Sequence, residues 1–250
     1  MDEIMTSHET LPPQCRLPSL SSILLEVRAP FEFASLGLFI SSLRGAPKGN
    51  GRPVFLVPGY MADDHSMRPL GTYLNYLGYD VYYAEIGRNR GNLNEHMLRI
   101  GGRLETVSSS LKSEALTLIG WSLGGVLVRE AARLLPSVVR EVITLGTPII
   151  GGPKFTTIGK YYAKRRELDL QEFELHVHRR NSIGLTQPIT SIYSKTDGVV
   201  GWQASLDIYN QHAKNIEVNS SHLGLGVHPQ VWKIIANTLS DRDYTHTTSK

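Results

Sequence analysis

Ser122 stands at the centre of Gly120-Trp121-Ser122-Leu123-Gly124, after an apolar run (residues 115–119) and before a helix-forming run (126–135). A serine between two small residues at a strand-to-helix junction makes a tight elbow that holds its hydroxyl clear of the backbone. A serine hydroxyl is a weak nucleophile at neutral pH. It needs an imidazole to take its proton and a carboxylate to orient that imidazole. On such an elbow the chain order is Ser, then Asp or Glu, then His. Asp197, in Lys195-Thr196-Asp197-Gly198, follows the strand-like run 189–194. His222, in Ser221-His222-Leu223-Gly224, follows the strand-like run 215–218. Three residue types in the required order thus each follow a different strand, and we assign Ser122, Asp197 and His222 as the catalytic candidates.

Rival residues fit less well. Asp207 falls in a helix-like stretch and Asp169 in the insert 149–187. Asp63 and Asp64 precede Ser122 and read as caps of the next helix. His212 precedes the last strand, at its wrong end, and His228 stands before Pro229, where it helps to open a helix. His176 and His178 form an H-x-H pair without a third ligand in view, so they read as a solvated surface pair and no metal is expected.

An oxyanion forming on Ser122 needs backbone donors. The residue after the nucleophile, Leu123, offers one N–H. The second should come from the loop Pro58-Gly59-Tyr60-Met61-Ala62, with Tyr60 N–H first and Met61 N–H after it. The loop Gly87-Arg88-Asn89-Arg90-Gly91-Asn92 follows the second strand and reads equally well as a plain connection or as a border of the site.

These residues need a scaffold. Strand-like runs at 54–57, 80–84, 115–119, 138–145, 189–194 and 215–218 alternate with helical periodicity. In the segment 93–111, Leu93, Met97, Ile100, Leu104, Val107 and Leu111 recur at spacings of four and three. Gly101 and Gly102 weaken that helix or permit close packing on the sheet. Pro229 suits the first turn of a final helix that runs to Leu239. The pattern predicts an α/β fold, with about six mostly parallel strands covered by helices on both faces. Ligands bind beyond the C-terminal ends of such strands, where Ser122, Asp197 and His222 all fall.

The chain has 250 residues, 41% hydrophobic and 20% charged, and suits one globular α/β domain. Net charge is +3 without a long basic run, which argues against nucleic acid as a partner. Cys15 is the single cysteine, so no internal disulfide forms, and a cytoplasmic setting is the simplest expectation. The first residues are polar and acidic rather than signal-like. Glu26, Arg28, Pro30 and Glu32 interrupt the apolar segment 20–43, so it is not a bilayer span. Residues 1–50 are expected to form a polar arm (1–19), one interrupted helix or two short ones packed on the core (20–43), and a Gly/Pro-rich link (45–53). The catalytic domain is expected over 51–240, with a flexible tail over 241–250.

Taken together, these residues resemble the α/β-hydrolase family, on its lipase and esterase side. The Pro58-Gly59 loop, Gly120 to Gly124, Ser194 to Val200 and Ser221-His222-Leu223-Gly224 carry the likeness, which extends over most of the chain from Pro53. Many lipases have His-Gly where this chain has Pro58-Gly59. The family's two N-terminal antiparallel strands have no counterpart here, so a trimmed sheet is expected. The resemblance implies ester hydrolysis through an acyl-enzyme, without metal or organic cofactor. Acyl transfer, thioester cleavage and non-catalytic lipid or partner binding are the alternatives.

The insert 149–187 lies where such hydrolases often carry a lid. Phe155, Tyr161, Tyr162 and Phe173, with Met61 and Trp121, are candidates for substrate contact, and the aromatic content suggests an ester with a lipophilic acyl chain. Lys160, Lys164, Arg165 and Arg166 read as a solvated face, with anionic lipid headgroups as the alternative partner. A lipid surface is likewise the alternative to core packing for the segment 20–43.

Overall fold

The computed structural model describes residues 12–38, 43–111 and 114–241. Most of the expected polar arm (residues 1–11) and the tail from 242 lie outside the described residues. The helices are α1 (Leu20–Leu25), α2 (Ala29–Ser35), α3 (Arg68–Tyr76), α4 (Leu93–Ser110), α5 (Leu123–Leu134), α6 (Gly159–Arg166), α7 (Leu170–Ser182) and α8 (Pro229–Asp241). The strands are β1 (Pro53–Val57), β2 (Asp80–Tyr83), β3 (Leu116–Trp121), β4 (Val139–Leu145), β5 (Ile189–Ser194) and β6 (Lys214–Val218). They form one sheet in the order β2-β1-β3-β4-β5-β6, with every neighbouring pair parallel. The trimmed, helix-covered parallel sheet expected from the sequence is the sheet observed.

A parallel sheet covered on both faces needs apolar residues on both sides of its central strands. β1 meets this with Pro-Val-Phe-Leu-Val, all buried. Val54 and Leu56 pack against Leu70 and Leu74 of α3 and Val231 and Ile235 of α8. Phe55 and Val57 point the other way, toward Ile100 and Leu104 of α4 and Leu127 and Val128 of α5. Gly101 and Gly102 lie inside α4, but a side chain at either would meet nothing within 4 Å, so close packing is not their role.

The N-terminal helices differ from expectation. Leu20, Leu24, Val27 and Phe31 recur at helical spacing but face outward, with exposures of 81, 71, 75 and 76%. Ser22 and Glu32 are buried instead. The polar side is turned inward because it meets backbone N–H groups of the loops that follow β5 and β6. Leu43 and Ala46, further along, do enter the core. Pro30 sits in the first turn of α2, where its missing N–H costs nothing. Among the described residues, no helix is long and apolar enough to cross a membrane.

Candidate active site

Ser122 closes β3 and opens α5 with φ +54° and ψ −121°, a conformation that costs a non-glycine residue of order 1–3 kcal/mol. Neighbouring bonds hold it there. Its N–H donates to Leu145 O at 2.8 Å. Its carbonyl accepts from Gly125 N–H at 2.9 Å and from Thr147 Oγ1 at 3.0 Å. The flanking glycines are a steric requirement: a Cβ at Gly124 would lie 2.3 Å from Val57 O, and one at Gly120 would lie 2.4 Å from Gly124 O.

Asp197 follows β5 and His222 follows β6, on the sheet edge where Ser122 emerges. Both are buried. Asp197 Oδ2 accepts a 2.6 Å hydrogen bond from His222 Nδ1. Asp197 Oδ1 accepts the N–H groups of Val199 (2.8 Å) and Val200 (2.7 Å), so the carboxylate is held at both oxygens. This fixes the tautomer and leaves Nε2 as the nitrogen free for proton transfer. Burial by itself disfavours the imidazolium. The Asp197 charge and hydrogen bond, with the charge of Glu26, outweigh that cost and raise the His222 pKa above the ordinary 6.5. Trp121 braces the same loop, its Nε1 donating to His222 O at 3.2 Å and its ring 6.4 Å from the imidazole centroid. Among the described residues, Ser122 Oγ makes no hydrogen bond to the ring. Such contacts are often long in unliganded sites and tighten with substrate.

The rival residues have structural work elsewhere. Asp207 forms a buried 2.5 Å ion pair with Arg129 and accepts from Tyr209 N–H and Asn210 N–H. Asp169 caps α7 and Asp63 caps the turn 64–67. His228 Nδ1 accepts Gln230 N–H at the start of α8. Cys15 is no rival nucleophile, since burial and then the Glu174 charge push its thiol up to about 11. His176 and His178 are not a solvated pair: both lie on α7, where residues two apart do not share a face. His178 is buried against Tyr209 (Nδ1 to hydroxyl oxygen 3.0 Å), while His176 borders the cavity beside Ser122.

Two N–H groups stand without a described acceptor near the Ser122 hydroxyl. Leu123 N–H opens α5, where no preceding turn supplies a carbonyl. Tyr60 N–H lies in the loop after β1, and Gly59 brings that loop so close that a Cβ there would be 3.2 Å from Ser122 Cβ. Met61 does not share this role, because its N–H donates to Asn89 O at 2.7 Å. The loop 87–92 is therefore more than a connection. Asn89 is buried, its side chain donates to Pro58 O at 3.0 Å, and its own N–H donates to Ala62 O at 2.8 Å. The sequence leaves that loop undecided, although a polar residue between two glycines just past a strand end is the available signal.

A cavity of about 430 Å³ opens beside Ser122. Of the candidates for substrate contact, Tyr162 and Phe173 border it, and so do Tyr60 and Leu123. Leu93 and Met97 from α4, Val126 from α5, and Ile149 and Val177 from the insert supply the rest of an apolar wall. The other proposed substrate contacts fall outside it. Phe155 packs into a small core with Ile150, Val200 and Ala204, and Tyr161 and Met61 are exposed. Trp121 lies behind the His222 loop. Tyr162 also ties the insert down, through its hydroxyl to Gly91 O at 2.9 Å. Of the basic cluster on α6, Arg166 donates to Arg90 O and Arg165 to Tyr161 Oη.

The arrangement sets a serine hydroxyl at the mouth of an apolar recess, an Asp-held imidazole on the same sheet edge, and two N–H groups without a described acceptor, groups suited to attack on an electrophilic carbon. No family model matches the sequence, and no curated protein matches it. Solved structures do share its architecture. Alpha/beta hydrolase domain-containing protein 10 from mouse aligns with a TM-score of 0.57 at 19% identity, covering 79% of this chain and 92% of that one. A lipase-esterase related protein from Clostridium acetobutylicum aligns at 0.54 and 14%, covering 78% and 96%. The thioesterase domain from the curacin biosynthetic pathway aligns at 0.52 and 14%, covering 78% and 93%. The chain has the α/β-hydrolase fold.

Proposed function

We propose that this protein is a serine hydrolase that cleaves carboxylic esters bearing a lipophilic acyl chain. The observation that carries the proposal is the buried 2.6 Å Asp197–His222 pair on the sheet edge where Ser122 is held in its strained elbow. Ser122 Oγ attacks the ester carbonyl carbon while His222 Nε2 takes its proton. Leu123 and Tyr60 N–H groups stabilise the oxyanion, each such donor contributing about 3–4 kcal/mol in comparable sites. The carbon–oxygen bond to the alcohol then breaks, and His222 gives its proton to the departing oxygen. Water, deprotonated by the same imidazole, attacks the acyl-enzyme, releases the acid and restores Ser122. Asp197 holds the imidazole in the required tautomer and stabilises its cation.

The apolar wall formed by Leu93, Met97, Val126 and Phe173 supports the lipophilic acyl chain. A thioester is the second substrate class. It differs only in the leaving group, and a thioesterase domain shares this fold.

The test is labelling with a fluorophosphonate probe, together with turnover of p-nitrophenyl esters of graded chain length and of one matching acyl thioester. Adduct at Ser122, and hydrolysis lost in Ser122→Ala, are expected. An intact, folded protein that neither labels nor turns over would overturn the proposal.

A further inference from the structure

The N-terminal helices reach the site through carboxylates. Glu26 Oε1 accepts two backbone N–H groups, Gly198 at 2.8 Å and His222 at 2.7 Å, and its Oε2 accepts Leu223 N–H at 3.0 Å. Gly198 follows Asp197, and Leu223 follows His222. One carboxylate therefore ties the loop of the carboxyl partner to the loop of the imidazole, across 172 and 196 residues of chain. Glu32 grips the second loop one residue earlier, accepting from Ser221 N–H at 3.0 Å and from Ser221 Oγ at 2.5 Å. Arg28 completes the clamp. Its Nη2 donates to Thr196 Oγ1 at 2.6 Å, and its Nε lies 3.0 Å from Glu32 Oε1 as an ion pair.

The fit leaves no slack. A Cβ at Gly198 would lie 2.5 Å from Ser22 O, and one at Gly224 would lie 1.7 Å from Glu32 Oε2. Each accepted N–H is a charge-assisted bond, about twice as strong as a neutral one. Without Glu26, three loop amides would lose their acceptor, and the strap would hold the two loops only through Arg28 to Thr196 and Glu32 to Ser221 among the described contacts.

Building on the proposed function, we infer that Glu26 is a positioning residue for the Asp197–His222 pair, delivered by an N-terminal strap that docks its polar face on the catalytic edge. Glu26 touches no reacting atom and acts by holding two loops in register. The charged groups that face His222 are Asp197 and Glu26, so Glu26 also supports the imidazolium that forms during each proton transfer.

The test compares Glu26→Ala, Glu26→Gln and, as a control on the outward face, Leu24→Ser in the full chain. Melting temperature, kcat and KM on a p-nitrophenyl ester, and the His222 ring titration by NMR are read for each. In Glu26→Ala, kcat is expected to fall by about 10²-fold, the loss typical of small misplacement, while KM changes little. Glu26→Gln keeps an acceptor for the Gly198 and His222 amides and is expected to recover part of kcat. Both variants remove the charge, so both move the His222 titration to lower pH. Leu24→Ser should match the unmodified protein in all three. A folded Glu26→Ala and a folded Glu26→Gln with unchanged kcat and unchanged His222 titration would overturn the inference. If the unmodified protein cleaves no ester, the functional proposal fails, and the NMR titration still decides the role of Glu26.

Discussion

Asp197 Oδ2 lies 2.6 Å from His222 Nδ1, and both side chains are sealed from solvent. Asp197 Oδ1 is held separately by two backbone N–H groups, so the carboxylate has little freedom to turn away. Asp197→Asn should keep the fold and remove the constraint on the imidazole tautomer. A fall in kcat of about 10⁴-fold is expected, as for the corresponding change in a serine protease, with little change in melting temperature.

Asp207 makes the contrasting prediction. Its partner Arg129 is buried, and Asp207→Ala would leave that guanidinium without its ion pair. Loss of one partner from a buried pair costs about 3–5 kcal/mol, which denaturant unfolding would measure. Activity per folded molecule should persist at low temperature. If Asp207→Ala abolishes turnover while Asp197→Asn does not, the carboxylate assignment is reversed.

Activity and the His222 contribution to stability should run in opposite directions with pH. The folded-state pKa lies above the ordinary 6.5, so the native state binds the proton more tightly than the unfolded chain. That contribution is fully present below the unfolded value and is lost as pH rises through the folded one. Turnover needs the neutral imidazole and rises over the same window. The acid limb of kcat/KM is expected above pH 6.5, and stability relative to His222→Gln should increase on acidification. An acid limb at or below the ordinary imidazole value would contradict the assigned environment.

The cavity wall predicts a chain-length effect. Val126 lies one turn into α5 beyond Ser122 and borders the recess. Val126→Phe should shift the optimum of kcat/KM toward shorter p-nitrophenyl esters and leave the acetate nearly unchanged. Phe173→Ala should shift it toward longer ones. A parallel change across all chain lengths would mean that the acyl group lies elsewhere.

Asn89 links the loop after β2 to the loop after β1, which carries the proposed oxyanion donor Tyr60, through Pro58 O. Asn89→Ala leaves that buried carbonyl unpaired, at about 1–3 kcal/mol. Tyr60 N–H should then be less well aimed, lowering kcat with KM little affected. Full kcat in a destabilised variant would confine Asn89 to a structural role.

Much of this was legible in one dimension. The alternation of short apolar runs with helical periodicity placed six strands because a parallel sheet buries both faces and so leaves continuous apolar runs. Ser122, Asp197 and His222 were visible because each follows such a run, and strand ends are where a sheet of this kind presents side chains. The neighbourhood of these three residues was less legible. Phe155 and Tyr161 are aromatic in an insert, which says nothing about which way each points. Phe155 turned into a small core and Tyr161 into solvent, while the aliphatic Val126 and Met97 formed the wall.

The segment 20–35 shows the limit most clearly. Its apolar residues have helical spacing, which in isolation means a face packed on the core. The sequence alone determined that the helices form, and where Pro30 falls within them. Only the tertiary structure decided which face turns inward, because the deciding partners, the backbone N–H groups of Gly198, Ser221, His222 and Leu223, carry no side-chain signature and arrive from more than 170 residues away. Local periodicity records what a segment can bury. Long-range backbone donors decide what it does bury, and here they drew in Glu26 and Glu32 and left Leu20, Leu24, Val27 and Phe31 outside.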